Sequence, residues 1–288
     1  MRPAGMKTRI FIDGGNPDET REIIGLLGFL DGQTTNPTLI SKNPKAQERM
    51  SEGERFYPSE LLTFYRKVVE ELSVMMPKGS ISVEVYAVPS TQAKDMLEQG
   101  REMFSWVPNA QVKFPTSHEG LVAASAALKA GLRVNMTLCF SQSQAAAVYA
   151  ATRGARKGDV YVSPFIGRLD DRGENGMDVI ANILKMYRAG DGHVEVLTAS
   201  VRSHDHLMYA LKLGSDIITA PYAILKEWGQ KGLPLPAEDY VYDARDLEPI
   251  PYREIDLAKP WQDYDITHDL TTKGMERFSA DWDSLITG

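Results

Sequence analysis

Short apolar runs alternate with longer amphipathic stretches along the chain, almost to residue 227. Eight of these runs are five or six residues long, contain β-branched residues and end near turn residues, a pattern that predicts strands. The predicted strands are 9–13, 32–36, 80–85, 111–115, 133–138, 160–165, 195–200 and 216–221. Helical patterns lie between most of them, and one opens at Ser141 with Gln144. Strands joined by helices are predicted to run parallel.

Eight strand–helix units are the number that closes a (β/α)8 barrel, in which reactive groups gather at the carboxyl ends of the strands. A doubly wound open sheet is the alternative, but no G-x-G-x-x-G motif follows the first strand. We therefore predict the α/β class and a single domain, with a TIM barrel over about residues 8–228.

Three further stretches give expectations outside the strands. Residues 229–288 lose the periodic pattern and are rich in proline, which predicts an extended segment that wraps the barrel and ends in a helix near 272–285. We predict that residues 42–58 form a longer loop or an insertion. Thr116 and Glu119 fit a capping box that would open a helix.

Alternation along each strand predicts which polar residues face the interior of the barrel. Successive side chains in a barrel point outward to the helices and inward to the lumen. In the seventh strand, for example, Leu197 would face outward and Thr198 inward. The residues predicted to face the lumen are Asp13, Glu84, Lys113, Asn135, Thr137, Thr198, Ser200 and Arg202. A purely structural barrel fills this space with branched apolar side chains, so a polar lumen indicates an active site.

Each of these residues also has a structural interpretation. Lys113 could extend to solvent or pair with Glu84. Asp13 could form an Asx turn with the glycines after it. Arg168 and Arg202 could form surface ion pairs. A lysine inside an apolar strand is nevertheless costly to keep charged, so a chemical role for Lys113 is the sharper hypothesis.

Composition and net charge restrict the classes of molecule that the chain is expected to bind. The chain has 32 basic and 39 acidic residues, a net charge of −7, which disfavours nucleic acid and anionic membranes as partners. A small anionic substrate remains compatible with this charge. The single Cys139 excludes an intramolecular disulfide, and the start "MRPAGMKTRI" lacks the apolar core of a signal peptide, so a cytoplasmic location is expected.

The positions of the histidines do not predict a metal site. His204 and His206 are predicted to lie on a helix surface, and the five histidines form no inward-facing cluster of the kind that a metal-dependent aldolase needs.

Five stretches, in order, resemble motifs of the transaldolase family. They are "TTNPTLISK" (34–42), "VKFP" (112–115), "VNMTLCFS" (134–141), "VSPFIGRLDD" (162–171) and "TASVRS" (198–203). The resemblance runs from about residue 11 to 221, with a weaker similarity in "GMERFSADWDSL" (274–285). The family has a (β/α)8 barrel and belongs to the class I Schiff-base aldolases, related to fructose-6-phosphate aldolase.

The resemblance implies a role for each matching residue. Lys113 would be the covalent nucleophile and Asp13 the acid/base, while Glu84 and Thr137 would hold a proton-shuttling water. The residues implied in substrate binding are Thr35, Asn36, Asn135, Ser163 and Phe165 around the dihydroxyacetone unit, and Arg168, Ser200 and Arg202 around the phosphate. Such chemistry needs no metal and no cofactor, and burial favours the neutral form of an amine that must attack a carbonyl.

Two positions separate transfer from cleavage within the family. The aldolases typically have glutamine in place of Glu84 and tyrosine in place of Phe165. The resemblance therefore implies a transaldolase of the pentose phosphate pathway, which moves a dihydroxyacetone unit from fructose 6-phosphate or sedoheptulose 7-phosphate to an aldose phosphate. Aldolase-like cleavage, transfer on another anionic sugar, and a non-catalytic barrel that binds a sugar phosphate remain open, as does a homo-oligomer.

Overall fold

Eight parallel strands form a closed barrel in chain order in the computed structural model, which describes residues 1–287. The strands are β1 (Arg9–Asp13), β2 (Gly32–Thr34), β3 (Ser80–Glu84), β4 (Ala110–Pro115), β5 (Val134–Cys139), β6 (Val160–Pro164), β7 (Val194–Thr198) and β8 (Ile217–Pro221). Pairing of β1 with β8 closes the ring. The predicted (β/α)8 barrel is confirmed, and the strand ends lie within two residues of those predicted.

Helices surround the barrel. They are α1 (Pro17–Leu27), α2 (Pro37–Ser41), α3 (Pro44–Ser51), α4 (Pro58–Met75), α5 (Ala93–Phe104), α6 (His118–Lys129), α7 (Gln142–Ala151), α8 (Ile166–Asp170), α9 (Gly176–Tyr187), α10 (His204–Leu213), α11 (Tyr222–Gln230) and α12 (Asp269–Asp283). None of these helices is long and apolar enough to cross a bilayer. The stretch 42–58, predicted as a longer loop or an insertion, contains α3, which begins after Asn43, whose side-chain oxygen accepts from the amide of Lys45.

The predicted capping box at Thr116 is wrong. Helix α6 begins two residues later, and its cap is Ser117, whose hydroxyl accepts from the amide of Gly120 3.2 Å away. Thr116 instead donates its hydroxyl to the backbone oxygen of Thr137 at 2.7 Å. The side chain therefore ties β4 to β5 at their carboxyl ends.

Strand register shows which side chains share the lumen. In a parallel sheet, laterally paired residues point to the same side. Glu84 is paired with Lys113, and Lys113 with Asn135, so these three form one layer. Nearer the amino ends of the strands, Arg9 contacts Glu195 at 2.9 Å and Tyr161 at 3.1 Å. Polar groups near the carboxyl ends are thus separated from the other end of the barrel by a salt-bridged layer.

The predicted faces of the seventh strand are wrong. Glu195 points inward to Arg9, so Leu197 points inward as well and Thr198 points outward. Thr198 lies 2.9 Å from the hydroxyl of Ser215. Strand β7 ends there, and Ser200 adopts the left-handed region at φ 59°, which breaks the alternation on which the prediction rested.

The segment after α11 packs on its own barrel. Residues 231–260 are largely irregular, and Gln142 of α7 exchanges two hydrogen bonds with the backbone of Arg253, at 2.6 and 3.0 Å. Asn182 of α9 donates to the backbone oxygen of Ile250 at 2.9 Å. The chain then returns across the carboxyl ends of the strands as α12, where Thr271 donates to the backbone oxygen of Leu138.

Candidate active site

Lys113 lies at the centre of the polar layer. Its side chain is 3% exposed and does not reach solvent. Its Nζ donates to the backbone oxygen of Thr35 at 2.9 Å and lies 2.7 Å from Oε2 of Glu84. The two oxygen atoms come from neighbouring strand ends, so the position of the amine is fixed from two sides.

Glu84 and Thr137 both keep unused hydrogen-bonding capacity beside the lysine. Oε2 of Glu84 is close enough for the ion pair with Lys113 but is not aligned as a hydrogen-bond acceptor, and Oγ1 of Thr137 has no partner among residues 1–287. Burial raises the pKa of Glu84, while the charge of Lys113 opposes that rise. Buried polar atoms of this kind are normally satisfied by a protein group, a ligand or water.

Asp13 closes the first strand and is held by a short chain of hydroxyls. Thr34 donates to Oδ1 of Asp13 at 2.6 Å, and Thr219 lies 2.6 Å from the same hydroxyl of Thr34. Since Thr34 has only one proton to give, Thr219 is the donor in the second bond. Burial raises the pKa of Asp13, against the opposing effects of the Lys113 charge and the Thr34 hydrogen bond.

Asn135 and Ser163 are brought together on adjacent strands. Ser163 donates to Oδ1 of Asn135 at 2.7 Å, and Nδ2 of Asn135 donates to the hydroxyl of Ser82 at 3.1 Å. The amide is thereby held in one orientation. Strand alternation could have identified Ser82 as a lumen residue, because it lies two positions before Glu84 on the same strand. Thr34 and Thr219 lie on strands to which no lumen residue had been assigned, and their hydrogen bonds to each other and to Asp13 reveal them.

Asn36 and Thr35 are placed differently from the other predicted binding residues. Oδ1 of Asn36 accepts from the amide of Leu39 at 2.9 Å and caps α2, which leaves its Nδ2 for a ligand. The Thr35 hydroxyl turns away and donates to the backbone oxygen of Ser82 at 2.7 Å. It is therefore the backbone oxygen of Thr35, rather than its side chain, that contacts Lys113.

The two arginines follow adjacent strands: Arg168 lies in the short helix α8 after β6, and Arg202 lies on the loop after β7. A Cβ on Gly167 would lie 2.5 Å from both Cγ of Arg202 and the backbone oxygen of Ser200, and the amide of Gly167 donates to that oxygen at 3.1 Å. The absence of a side chain at Gly167 thus lets Ser200 and Arg202 lie against α8, the helix that carries Arg168.

Arg168 is a cation without an acidic partner. Within residues 1–287 its guanidinium forms no ion pair; it lies over the rings of Phe165 and Phe278, 5.5 and 5.2 Å from their centroids. Burial, together with the nearby charges of Arg277 and Arg202, lowers the pKa of Arg168, while Glu84 and Asp171 oppose this effect. Arg202 contacts the exposed Asp171 at 2.9 Å. An anion would relieve this local excess of positive charge.

His206 was predicted on a helix surface, and this is wrong, because the residue is buried. Its Nε2 lies 3.0 Å from Oδ2 of Asp170, and its Nδ1 accepts from the backbone amide of Arg202 at 3.2 Å. The ring therefore links the loop that carries Arg202 to the end of α8. A chain segment distant in sequence covers it, since the ring of Tyr242 lies 6.0 Å away.

Sequence comparison identifies the family of the chain. The model of the family described as "Transaldolase/Fructose-6-phosphate aldolase" matches residues 10–287. The chain belongs to this family. Three relatives named "Probable transaldolase" come from Dehalococcoides mccartyi (34% identity, 96% of this chain and 99% of that protein), Syntrophomonas wolfei (37%, 76% and 89%) and Methanococcus maripaludis (32%, 96% and 98%).

Membership of the transaldolase/fructose-6-phosphate aldolase family makes the chain an enzyme. The match extends over α12 as well as the barrel. The polar layer around Lys113, the Asp13 carboxyl and the arginine pair are thus the candidate parts of a family active site.

Proposed function

We propose that this enzyme is a transaldolase, which transfers a dihydroxyacetone unit from a ketose phosphate to an aldose phosphate through a Schiff base on Lys113. Fructose 6-phosphate or sedoheptulose 7-phosphate would be the donor. The observation that carries the proposal is the buried Nζ of Lys113, which lies 2.7 Å from Glu84 and 2.9 Å from the backbone oxygen of Thr35. A barrel interior that serves only stability is filled with branched apolar side chains, so an amine at its centre indicates a chemical role.

Imine formation is the first step. The neutral amine of Lys113 attacks the C2 carbonyl of the ketose to give a carbinolamine. The carbinolamine hydroxyl accepts one proton, relayed from the Glu84 carboxyl, and leaves as water, so that a protonated imine remains. The unpaired Oγ1 of Thr137 and the unaligned Oε2 of Glu84 support a water position between them, from which protons could move during this step. The raised pKa of Glu84 suits a carboxyl group that must both accept and donate a proton.

Carbon–carbon cleavage is assigned to Asp13. Its carboxylate takes the proton of the C4 hydroxyl, the C3–C4 bond breaks, and the bonding electrons move into the protonated imine to form an enamine. The aldose phosphate leaves as an aldehyde. An incoming aldose phosphate then accepts the enamine carbon, Asp13 returns its proton to the new C4 oxygen, and water hydrolyses the imine.

The phosphate group would lie between the arginines. Arg168 has no acidic partner within residues 1–287, and Arg202 and Ser200 lie against Gly167 on the adjoining loop. Two guanidinium groups suit the charge and geometry of a phosphate dianion. The amide of Asn135 and the free Nδ2 of Asn36 would contact the dihydroxyacetone hydroxyls.

The surroundings of the enamine favour transfer over plain cleavage, because no tyrosine hydroxyl within residues 1–287 is free to protonate it. Phe165 has no hydroxyl to donate, and its ring is packed against Phe140 at 6.0 Å between centroids. Tyr65 lies near the lysine, but its hydroxyl contacts Thr35 and the amide of Glu84. Without a phenol to protonate its carbon, the enamine should survive until an acceptor aldehyde arrives.

Reduction with borohydride tests the Schiff base. With fructose 6-phosphate, we expect a mass adduct on Lys113 in the wild type and none in Lys113→Met. Lys129→Met, an exchange at a lysine in α6 rather than in the barrel interior, is the matched control and should keep the adduct. An adduct that persists in Lys113→Met would contradict the assignment.

Release of glyceraldehyde 3-phosphate from fructose 6-phosphate tests the reaction type. We expect release that depends on erythrose 4-phosphate. Equal release without the acceptor would make the enzyme an aldolase and would show that Phe165 and Glu84 do not decide between the two activities. No release in either assay, with an adduct from another anionic ketose, would identify a different substrate. The lack of any adduct would support a non-catalytic barrel.

A further inference from the structure

A tyrosine outside the barrel contacts both segments that hold the lysine. Tyr65 lies in α4 and is fully buried. Its hydroxyl lies 2.5 Å from Oγ1 of Thr35 and accepts from the backbone amide of Glu84 at 2.9 Å. Thr35 and Glu84 are the residues whose oxygen atoms contact Nζ of Lys113.

The direction of these hydrogen bonds follows from the available protons. The Thr35 hydroxyl donates its single proton to the backbone oxygen of Ser82, which can only accept. The Tyr65 hydroxyl must therefore donate to Thr35, while its own oxygen accepts from Glu84. The result is one ordered chain, from the Glu84 amide through Tyr65 and Thr35 to the Ser82 carbonyl.

Aromatic packing holds the Tyr65 ring in place. Trp106 meets it edge-on at 5.5 Å between centroids, and Trp282 of α12 does so at 5.9 Å. Edge-to-face pairs in this distance range are favourable. The hydroxyl is thus fixed by groups that lie outside the barrel, including the helix that crosses its carboxyl end.

We propose that Tyr65 is a positioning residue for the reaction, which fixes the Thr35 carbonyl and the Glu84 carboxylate around the nitrogen of Lys113. The proposal rests on the Schiff-base function proposed above. Tyr65 does not touch the nitrogen itself, so it acts through the two residues that do. Misplacement of reacting groups by a fraction of an ångström slows a reaction even when the substrate still binds.

Tyr65→Phe removes the hydroxyl and keeps the ring. We expect the single-turnover rate of imine formation, measured by borohydride quenching, to fall roughly tenfold, with kcat reduced and KM little changed. Tyr187→Phe is the matched control, because the hydroxyl of this buried tyrosine donates to the backbone oxygen of Ala145 at 2.6 Å, outside the lysine layer. It should lose similar stability and keep the wild-type rate.

A double-mutant cycle separates positioning from general destabilisation. Thr35→Val removes the acceptor of Tyr65, and we expect it to slow imine formation as Tyr65→Phe does, with little further loss in the double variant. A wild-type rate in Tyr65→Phe, or fully additive losses, would overturn the proposal. If the wild type itself forms no adduct on Lys113, the proposed function fails. The proposal about Tyr65 fails alone when the wild type forms the adduct and Tyr65→Phe forms it equally fast.

Discussion

At the scale of single residues, burial sets the chemistry of the site. Asp13, Glu84 and Lys113 share one polar interior that is shielded from solvent, where burial raises the pKa of each carboxyl group and the charge of Lys113 opposes that rise. A surface site would leave these carboxyl groups near their ordinary pKa values. The barrel interior therefore places two carboxyl groups with raised pKa values beside the amine to which we assign the proposed imine chemistry.

Thr34→Val tests the control of Asp13. The Thr34 hydroxyl lowers the pKa of Asp13, so its loss should raise that pKa further. Asp13 must be ionised to take the C4 proton, and a higher pKa leaves less of it ionised at acidic pH. The acid limb of the kcat/KM profile should therefore move upward by about one pH unit.

The control for this measurement is Thr63→Val, the same exchange on the exposed face of α4. It should leave the pH profile unchanged. An acid limb that stays in place in Thr34→Val would mean that another group, and not Asp13, controls it.

At the scale of elements, α12 packs against Arg168 of the proposed anion site. Gly274 lies where a Cβ would be 2.8 Å from Nη1 of Arg168 and 2.6 Å from Cδ2 of Leu138. The same helix contributes Phe278 beneath the Arg168 guanidinium. A glycine in a helix interior costs stability, so its presence at this contact is explained by the close approach of Arg168.

Gly274→Ala should displace Arg168 or shift α12. We expect KM for the phosphorylated donor to rise by roughly tenfold, because one hydrogen-bonded cation would be misplaced. Steady-state kinetics measures this effect. The matched control is Gly25→Ala in α1, where a Cβ meets nothing within 4 Å; this variant should gain up to about 1 kcal/mol in stability and keep its KM. Equal KM values in the two variants would contradict the packing argument.

At the scale of the whole molecule, the irregular segment 231–260 ties the outer helices together. Gln142 holds the backbone of Arg253 through both ends of its amide, and Asn182 holds Ile250. These bonds satisfy backbone groups that no strand or helix would satisfy. The segment therefore depends on a few side chains for its order.

Gln142→Ala should increase local opening of the segment 231–260. Loss of two hydrogen bonds should raise amide exchange around residues 250–255 by roughly tenfold or more, while exchange in the barrel strands changes little. Hydrogen–deuterium exchange with mass spectrometry measures this. Gln47→Ala, which removes a glutamine bonded to the backbone of Ser41 in another part of the fold, should leave 250–255 protected. Global loss of protection in Gln142→Ala would show that the segment and the barrel unfold together.

The succession of eight strand–helix units predicted the barrel. Alternation of apolar and polar residues along the strands predicted most of the residues that face its lumen. The period of two along each strand is a local property, so the amino-acid sequence alone assigns Asp13, Glu84 and Lys113 to one face. The family motifs then implied a role for each. The two arginines could be named in the same way, since they lie within two of those motifs.

Tertiary structure alone decided the features that depend on distant segments or on a single backbone angle. Glu195 faces inward to Arg9, so Leu197 does so as well against prediction, and the left-handed φ of Ser200 ends the alternation from which Thr198 had been assigned to the lumen. His206 became buried because the irregular segment brings Tyr242 over it. Tyr65 could not be found from strand alternation, because it reaches the lysine layer from an outer helix. Such contacts join residues far apart in the chain, and no local pattern records them.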